Sequence, residues 1–295
     1  YLPRYVWKGD HKTLKLKEHF KQTVMYFIPT IATSIYTVLD KTLIGVITQN
    51  DAENGYYEQA TKIINMAKSV SFNAVNAVGG VRISYLFVEN KEEEIKSRIE
   101  NSMNFILFMA IGCGFGIAGV ATTFVPLFFG NGYDRVVGLL YIFCPIITII
   151  GVSNCLGSQY YTPSGRRNDS TKYLLCGSAV NLILNLCLIG KYGAYGAACA
   201  SVIAEFCITF LYVKNCNGFM QFGKLLSCMS KKVIAGFLMF LVVIGLGKYL
   251  HMTKLLVLAC QIVMGIGTYL VVLIIEKDKW VKMMAYEFIH KLRKR

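Results

Sequence analysis

The chain has 295 residues, of which 55% are hydrophobic and only 16% charged. Soluble domains carry roughly a quarter charged residues, so this composition argues against an ordinary soluble protein. The net charge of +14 does not gather on one basic face. Its cations fall in short clusters between apolar runs, a pattern that belongs to membranes and not to nucleic acid.

A helix needs roughly 20 predominantly apolar residues to cross the hydrocarbon core. On that basis the chain predicts about eight spans, at 23–48, 55–86, 103–129, 136–158, 171–190, 194–213, 232–250 and 255–275. The expected organisation is a basic lead-in (1–22), a six-helix bundle (23–213), a loop (214–231), two additional transmembrane helices (232–275) and a basic tail (276–295). The fold class is therefore an all-α polytopic membrane protein.

Lys and Arg set the expected orientation. The lead-in, the second, fourth and sixth loops (among them Arg166, Arg167, Lys231 and Lys232) and the tail hold most of the 31 cations. Only Arg135, Lys191, Lys248 and Lys254 fall in the alternate loops. This asymmetry places the first set in the cytoplasm and, with an even number of spans, both termini with it. The tail from Lys277 reads either as a basic amphipathic helix on the inner leaflet, with Trp280, Met283, Met284, Phe288 and Ile289 among its cations, or as a solvated basic segment. Of the ten cysteines, eight lie within apolar runs and none forms a CxxC pair, so they read as small packing residues.

Ionisable groups are costly in hydrocarbon and mark cavities or partners. In span one, Thr33, Tyr36, Thr37 and Asp40 share a face, with Lys41 turned away from it. The pair Asp40–Lys41 reads either as an interfacial feature with a snorkelling Lys or as part of a cavity. The run 42–48 beyond it is still apolar, which favours the cavity. In span two, Glu58, Thr61, Lys62, Asn65, Lys68, Ser69, Asn73 and Asn76 occupy a stripe roughly 140° wide. Ile63, Met66 and Val70 lie opposite. Glu58 and Lys62 are spaced for an i,i+4 ion pair. The alternatives are a helix lying on the membrane, a structural ion pair, and a transmembrane helix whose wet face lines a charged cavity. The alternation of basic loops favours the last.

Span five carries Asn181 and Asn185 one turn apart, and span six carries Ser201 and Glu205 at the same spacing. Such groups serve either as interhelical hydrogen bonds or, with a carboxylate such as Asp40, as hard oxygen ligands for a small cation. Glu205 reads as a proton-coupling group or as the partner of another helix. No Walker A, HExxH or GxSxG sequence and no metal-spaced Cys/His cluster occurs, so an enzyme is not expected.

The run from Phe27 through Asp40-Lys41 to Gly45, followed by Asn54-Gly-Tyr-Tyr57-Glu58-Gln-Ala-Thr-Lys62-Ile63, resembles the polysaccharide-transport branch of the multidrug/oligosaccharidyl-lipid/polysaccharide exporter superfamily, the O-antigen and capsule-unit flippases. Gly157 to Arg166, Asn181-Leu-Ile-Leu-Asn185 and Gly193-Ala-Tyr-Gly196 continue the likeness, which runs from about Leu16 to Lys214. One departure is Gly80-Val81-Arg82, where members carry a Pro-Arg pair.

The resemblance implies two helical bundles, of which this chain is the C-terminal one plus extra helices. The missing N-terminal half and polysaccharide polymerase machinery are the implied protein partners. It implies an undecaprenyl-pyrophosphate-linked oligosaccharide as substrate, moved by alternating access through a cationic cavity. Tyr36, Lys41, Tyr57, Glu58, Lys62, Lys68, Arg82 and Glu205 are the expected cavity residues. It also implies a sodium site, onto which Asp40, Asn181, Asn185 and Ser201 map. No cofactor beyond a coupling ion, Na+ or H+, is expected. The competing readings are a multidrug/cation antiporter of the same superfamily and a non-transporting truncated remnant.

Overall fold

The computed structural model describes residues 20, 23–24, 27, 38–73, 83–278 and 280–281. Most of the lead-in, most of span one with Tyr36, the segment containing Arg82, and the tail from residue 282 lie outside the described residues.

The described chain is helical from end to end. Helix α1 (38–48) reaches a turn at Gln49 and Asn50. Asn50 then caps α2 (Asp51–Lys68), its side chain accepting from the Ala52 amide at 3.0 Å. Asp51 and Glu53 in the first turn complement the helix dipole. A π-helical turn, Ser69–Asn73, extends α2, and a short helix, α3, covers 83–88. Then follow α4 (Glu92–Phe128), α5 (Asp134–Leu156) with a π-helical extension at Gly157–Tyr161, α6 (Arg167–Tyr192), α7 (Ala194–Lys214), α8 (Phe222–Tyr249) and α9 (Lys254–Ile275).

The last six helices are each long and apolar enough to cross a membrane. Their outward faces remain apolar: on α9, Leu255, Val263 and Ile275 are each about two-thirds exposed. A water-soluble protein does not present such a surface, and a multi-pass helical membrane protein must. Spans three to eight thus correspond to α4–α9. Helix α4 begins well before the expected start at 103, because Lys96–Glu92 (3.0 Å) and Arg98–Glu94 (2.7 Å) pairs support charged turns that hydropathy reads as loop. Helix α8 likewise begins at Phe222, inside the expected loop 214–231.

Helix α5 stands at the centre, packed against α4, α7 and α2, with α6 on α7 and α8 between α4 and α9. Leu139, Leu140 and Ile147 of α5 meet Ile44, Ala60 and Ile64 of α1 and α2 in one core cluster. Small residues let the helices approach closely. The connection between α6 and α7 is Gly193 alone, at φ +57°. A Cβ at Gly196 would lie 2.5 Å from the Leu188 carbonyl oxygen, so only glycine permits this hairpin.

Two cations counted with the sixth loop are placed differently. Lys232 is buried within α8, where its ammonium pairs with Asp278 at 3.0 Å and bonds the Asn104 side chain at 3.2 Å. Lys231 caps the end of α9 through the Glu276 and Lys277 carbonyls. Asp278 also accepts from the Trp280 and Val281 amides, and Trp280 packs on Phe105 and Phe108 of α4. The start of the tail is therefore fastened to the helices; whether the rest lies on a membrane concerns residues outside those described.

Candidate functional site

Asp40 lies near the start of the described part of α1 and is 2% exposed. Three helices deliver neutral donors to its carboxylate. Tyr57 of α2 donates to Oδ2 at 2.7 Å, Ser201 of α7 to Oδ2 at 2.7 Å, and Asn185 of α6 to Oδ1 at 2.6 Å. Asn181, one turn before Asn185, receives a bond from the Asn185 amide at 3.0 Å and reaches Ser201 Oγ at 3.4 Å. The Tyr57 hydroxyl lies 3.3 Å from Ser201 Oγ. All five residues are buried.

The sequence places these groups by periodicity. Asn181 and Asn185 sit on one face of α6, and the Gly193 turn folds α7 back so that Ser201 meets them. The four residues expected to form a cation site thus converge. Tyr57, expected only as a cavity residue, is a fifth member of the cluster and a direct partner of Asp40.

One feature bears on whether a cation fits. The Oδ1 atom of Asn185 is buried and makes no hydrogen bond. An Asn amide oxygen and nitrogen are interchangeable by rotation about the side-chain bond. Turned over, that oxygen would face Asp40 Oδ1 and Asn181 Oδ1, an arrangement stable only around a positive charge. One carboxylate with amide and hydroxyl oxygens is a hard, singly charged donor set. It suits a small monovalent cation better than a transition metal. Among the described residues no group of three His, Cys, Asp or Glu side chains converges.

The cluster forms one wall of a cavity of about 340 Å³. Asp40, Lys41, Tyr57, Lys62, Lys68 and Glu205, all expected there, line it. The remaining wall comes from Thr61, Asn65 and, on α5, Phe143, Ile146 and Ile150. The α5 residues carried no sequence signal, because their spacing is that of ordinary core. Of the expected set, Glu58 does not line the cavity but bridges two of its lysines from beside it, and Tyr36 and Arg82 lie outside the described residues. Ile63, Met66 and Val70 line an apolar groove with α4, α8 and α9 instead, so α2 is wet on one face and dry on the other.

The described charges around this cavity balance, with three lysines (Lys41, Lys62, Lys68) against three carboxylates (Asp40, Glu58, Glu205). Glu58 bridges Lys62 at 3.0 Å and Lys41 at 3.8 Å, with all three side chains between 40% and 60% exposed. Lys68 interacts with Glu205, which is buried on the face of α7 that also carries Ser201.

At the opposite end of α2, Glu53 is buried and accepts from the Ala194 amide at 2.9 Å, capping α7. It also pairs with Arg135 at the start of α5. This clamp joins the starts of α2, α5 and α7, and no periodicity or motif marks it.

A family profile described as polysaccharide biosynthesis protein matches residues 3–138. The chain is similar to a putative O-antigen transporter of Escherichia coli K12, 26% identical over 204 residues, covering 68% of this chain and 47% of that protein. It is also similar to a probable low-salt glycan biosynthesis flippase, Agl15, of Haloferax volcanii, 24% identical over 217 residues, covering 72% of this chain and 45% of that protein. The chain spans about half the length of the curated relatives it matches. Its fold is that of the lipid II flippase MurJ in an inward closed conformation, with a TM-score of 0.72, 18% identity, and coverage of 92% of this chain and 57% of that one. Family profile, curated relatives and fold all point the same way, and the chain is similar to the polysaccharide flippases.

Proposed function

We propose that this chain forms the C-terminal lobe of a flippase that carries undecaprenyl-pyrophosphate-linked oligosaccharide repeat units across the cytoplasmic membrane, with both of its ends in the cytoplasm. The observation that carries this reading is the cavity lined by Lys41, Lys62 and Lys68 of α1 and α2, set against the buried Asp40 cluster. A pyrophosphate leaving the headgroup region loses hydration, and lysines offset that loss through charge-assisted hydrogen bonds.

In this reading Asp40, Asn181, Asn185 and Ser201 hold a sodium ion, with Tyr57 beside them. Such an ion would supply positive charge at the junction of α1, α6 and α7. Tyr57 and Ser201 orient the carboxylate, and the hairpin of α6 and α7 keeps the two asparagines and the serine in register. The membrane potential supplies roughly 2.3 kcal/mol per charge per 100 mV.

A drug/cation antiporter would need carboxylates open to an organic cation. Here Glu58 is engaged by two lysines and Glu205 is buried and attracted by Lys68, which favours an anionic substrate. The test is polysaccharide export in a flippase-deficient strain, with this chain alone and with a family N-terminal half supplied. Restoration in the second case supports the reading. No export in either, with membrane insertion confirmed, overturns it in favour of a non-transporting chain.

A further inference from the structure

We propose that Glu58 is an internal stand-in for the anionic headgroup: a tethered carboxylate that occupies Lys41 and Lys62 when the cavity is empty and is displaced by a multiply charged phosphate. The proposal rests on the flippase reading above and names the residue that sets its selectivity.

Three observations carry it. First, Glu58 contacts lysines on two different helices, α1 and α2, at 3.8 and 3.0 Å. Two ammonium groups around one carboxylate make a site for a single bridging anion. Second, both lysines line the cavity, and all three side chains keep substantial exposure, so an anion entering the cavity reaches them without unfolding a helix. Third, the remaining cavity lysine, Lys68, shares the cavity with the buried Glu205, whose charge attracts it. Among the described residues, Glu58 is thus the accessible acid that is ion-paired to the accessible cavity lysines.

The chemistry follows from competition. A tethered carboxylate is present at high effective concentration but carries one negative charge. A monoanion gains little by replacing it. A diphosphate, with more charge and two phosphoryl groups to span two lysines, gains more. Glu58 therefore weakens all anions but weakens singly charged ones most, and it keeps Lys41 and Lys62 pointed into position in the empty state. It is a positioning and selectivity residue, not a substrate contact.

The experiment measures binding of inorganic pyrophosphate and of inorganic phosphate to the purified full chain in detergent, for wild type, E58Q, E58D and K62Q. The expected result is that E58Q binds pyrophosphate about three- to fivefold tighter, the scale of removing a half-exposed ion pair. Phosphate tightens by a larger factor, so the preference for pyrophosphate narrows. E58D, whose shorter arm keeps the charge but reaches both lysines less well, falls between; if E58Q does not yield folded protein, E58D must still bind tighter than wild type. If wild type binds and K62Q weakens binding, but neither Glu58 variant tightens it, Glu58 is merely structural and this inference is overturned. If wild type binds no pyrophosphate, or K62Q binds as well as wild type, the lysine face is not an anion site and the flippase reading falls with it.

Discussion

Lys232 and Asp278 form an ion pair of 3.0 Å in which both side chains are almost fully buried, at 1% and 7% exposure. The pair ties α8 to the segment that follows α9, and the Asn104 side chain extends it to α4. Removing one member leaves the other as an uncompensated buried charge, a loss of about 3–5 kcal/mol. We therefore expect Lys232→Met or Asp278→Leu alone to lower the melting temperature sharply in detergent. The double replacement should recover much of that loss, and a double-mutant cycle measures the coupling. Additive losses would contradict the pairing.

The Asp40 cluster predicts sodium-dependent stability. A cation that binds only the folded state stabilises it by about 2.7 kcal/mol at a hundredfold excess over its Kd. Melting should rise in sodium chloride relative to choline chloride, and Asp40→Asn and Asn185→Leu should remove the difference. Equal melting of the wild type in the two salts would sink the cation site.

The lysines of α2 predict a charge requirement. Reversal of both Lys62 and Lys68 to Glu should abolish complementation of a flippase-null strain by the assembled transporter, at unchanged membrane levels. Full activity of the double variant would count against a cavity that handles an anionic headgroup.

The clamp at Glu53 predicts a graded series. Glu53→Gln keeps an acceptor for the Ala194 amide and loses only the pairing with Arg135, whereas Glu53→Ala leaves a buried amide without a partner, a penalty of about 1–3 kcal/mol. Thermal unfolding should rank wild type above E53Q and E53Q above E53A. Gly193→Ala should be at least as harmful as E53Q, because its Cβ would sit 2.6 Å from Glu53 Oε2 at a positive φ. A G193A chain as stable as wild type would refute this account of the turn.

Much of the site was legible because polar residues repeat at helical spacing in helices that are otherwise apolar. Asn181, Asn185 and Ser201 stand out for that reason, and Asp40 for the apolar run that follows it. Tyr57 did not stand out as a partner of Asp40, since a tyrosine in a membrane helix is equally at home at an interface or in a cavity. Lys232 was misplaced because a Lys-Lys pair at the edge of an apolar run looks like a loop end. What buries it is Asp278, 46 residues away, and periodicity carries no information at that separation. The extra turns of α4 were hidden for a related reason: they are held by i,i+4 ion pairs, which lower hydropathy while supporting the helix.

The single-residue joint at Gly193 has a mechanical consequence. With no slack between them, α6 and α7 behave as one stiff prong, and Asn181, Asn185 and Ser201 travel together wherever it goes. Asp40 and Tyr57 belong to the other prong, α1 and α2. Relative sliding of the two prongs therefore strains the two short hydrogen bonds that Asn185 and Ser201 give to one carboxylate, which makes Asp40, with the Glu53–Ala194 bond at the other end, a clasp between them.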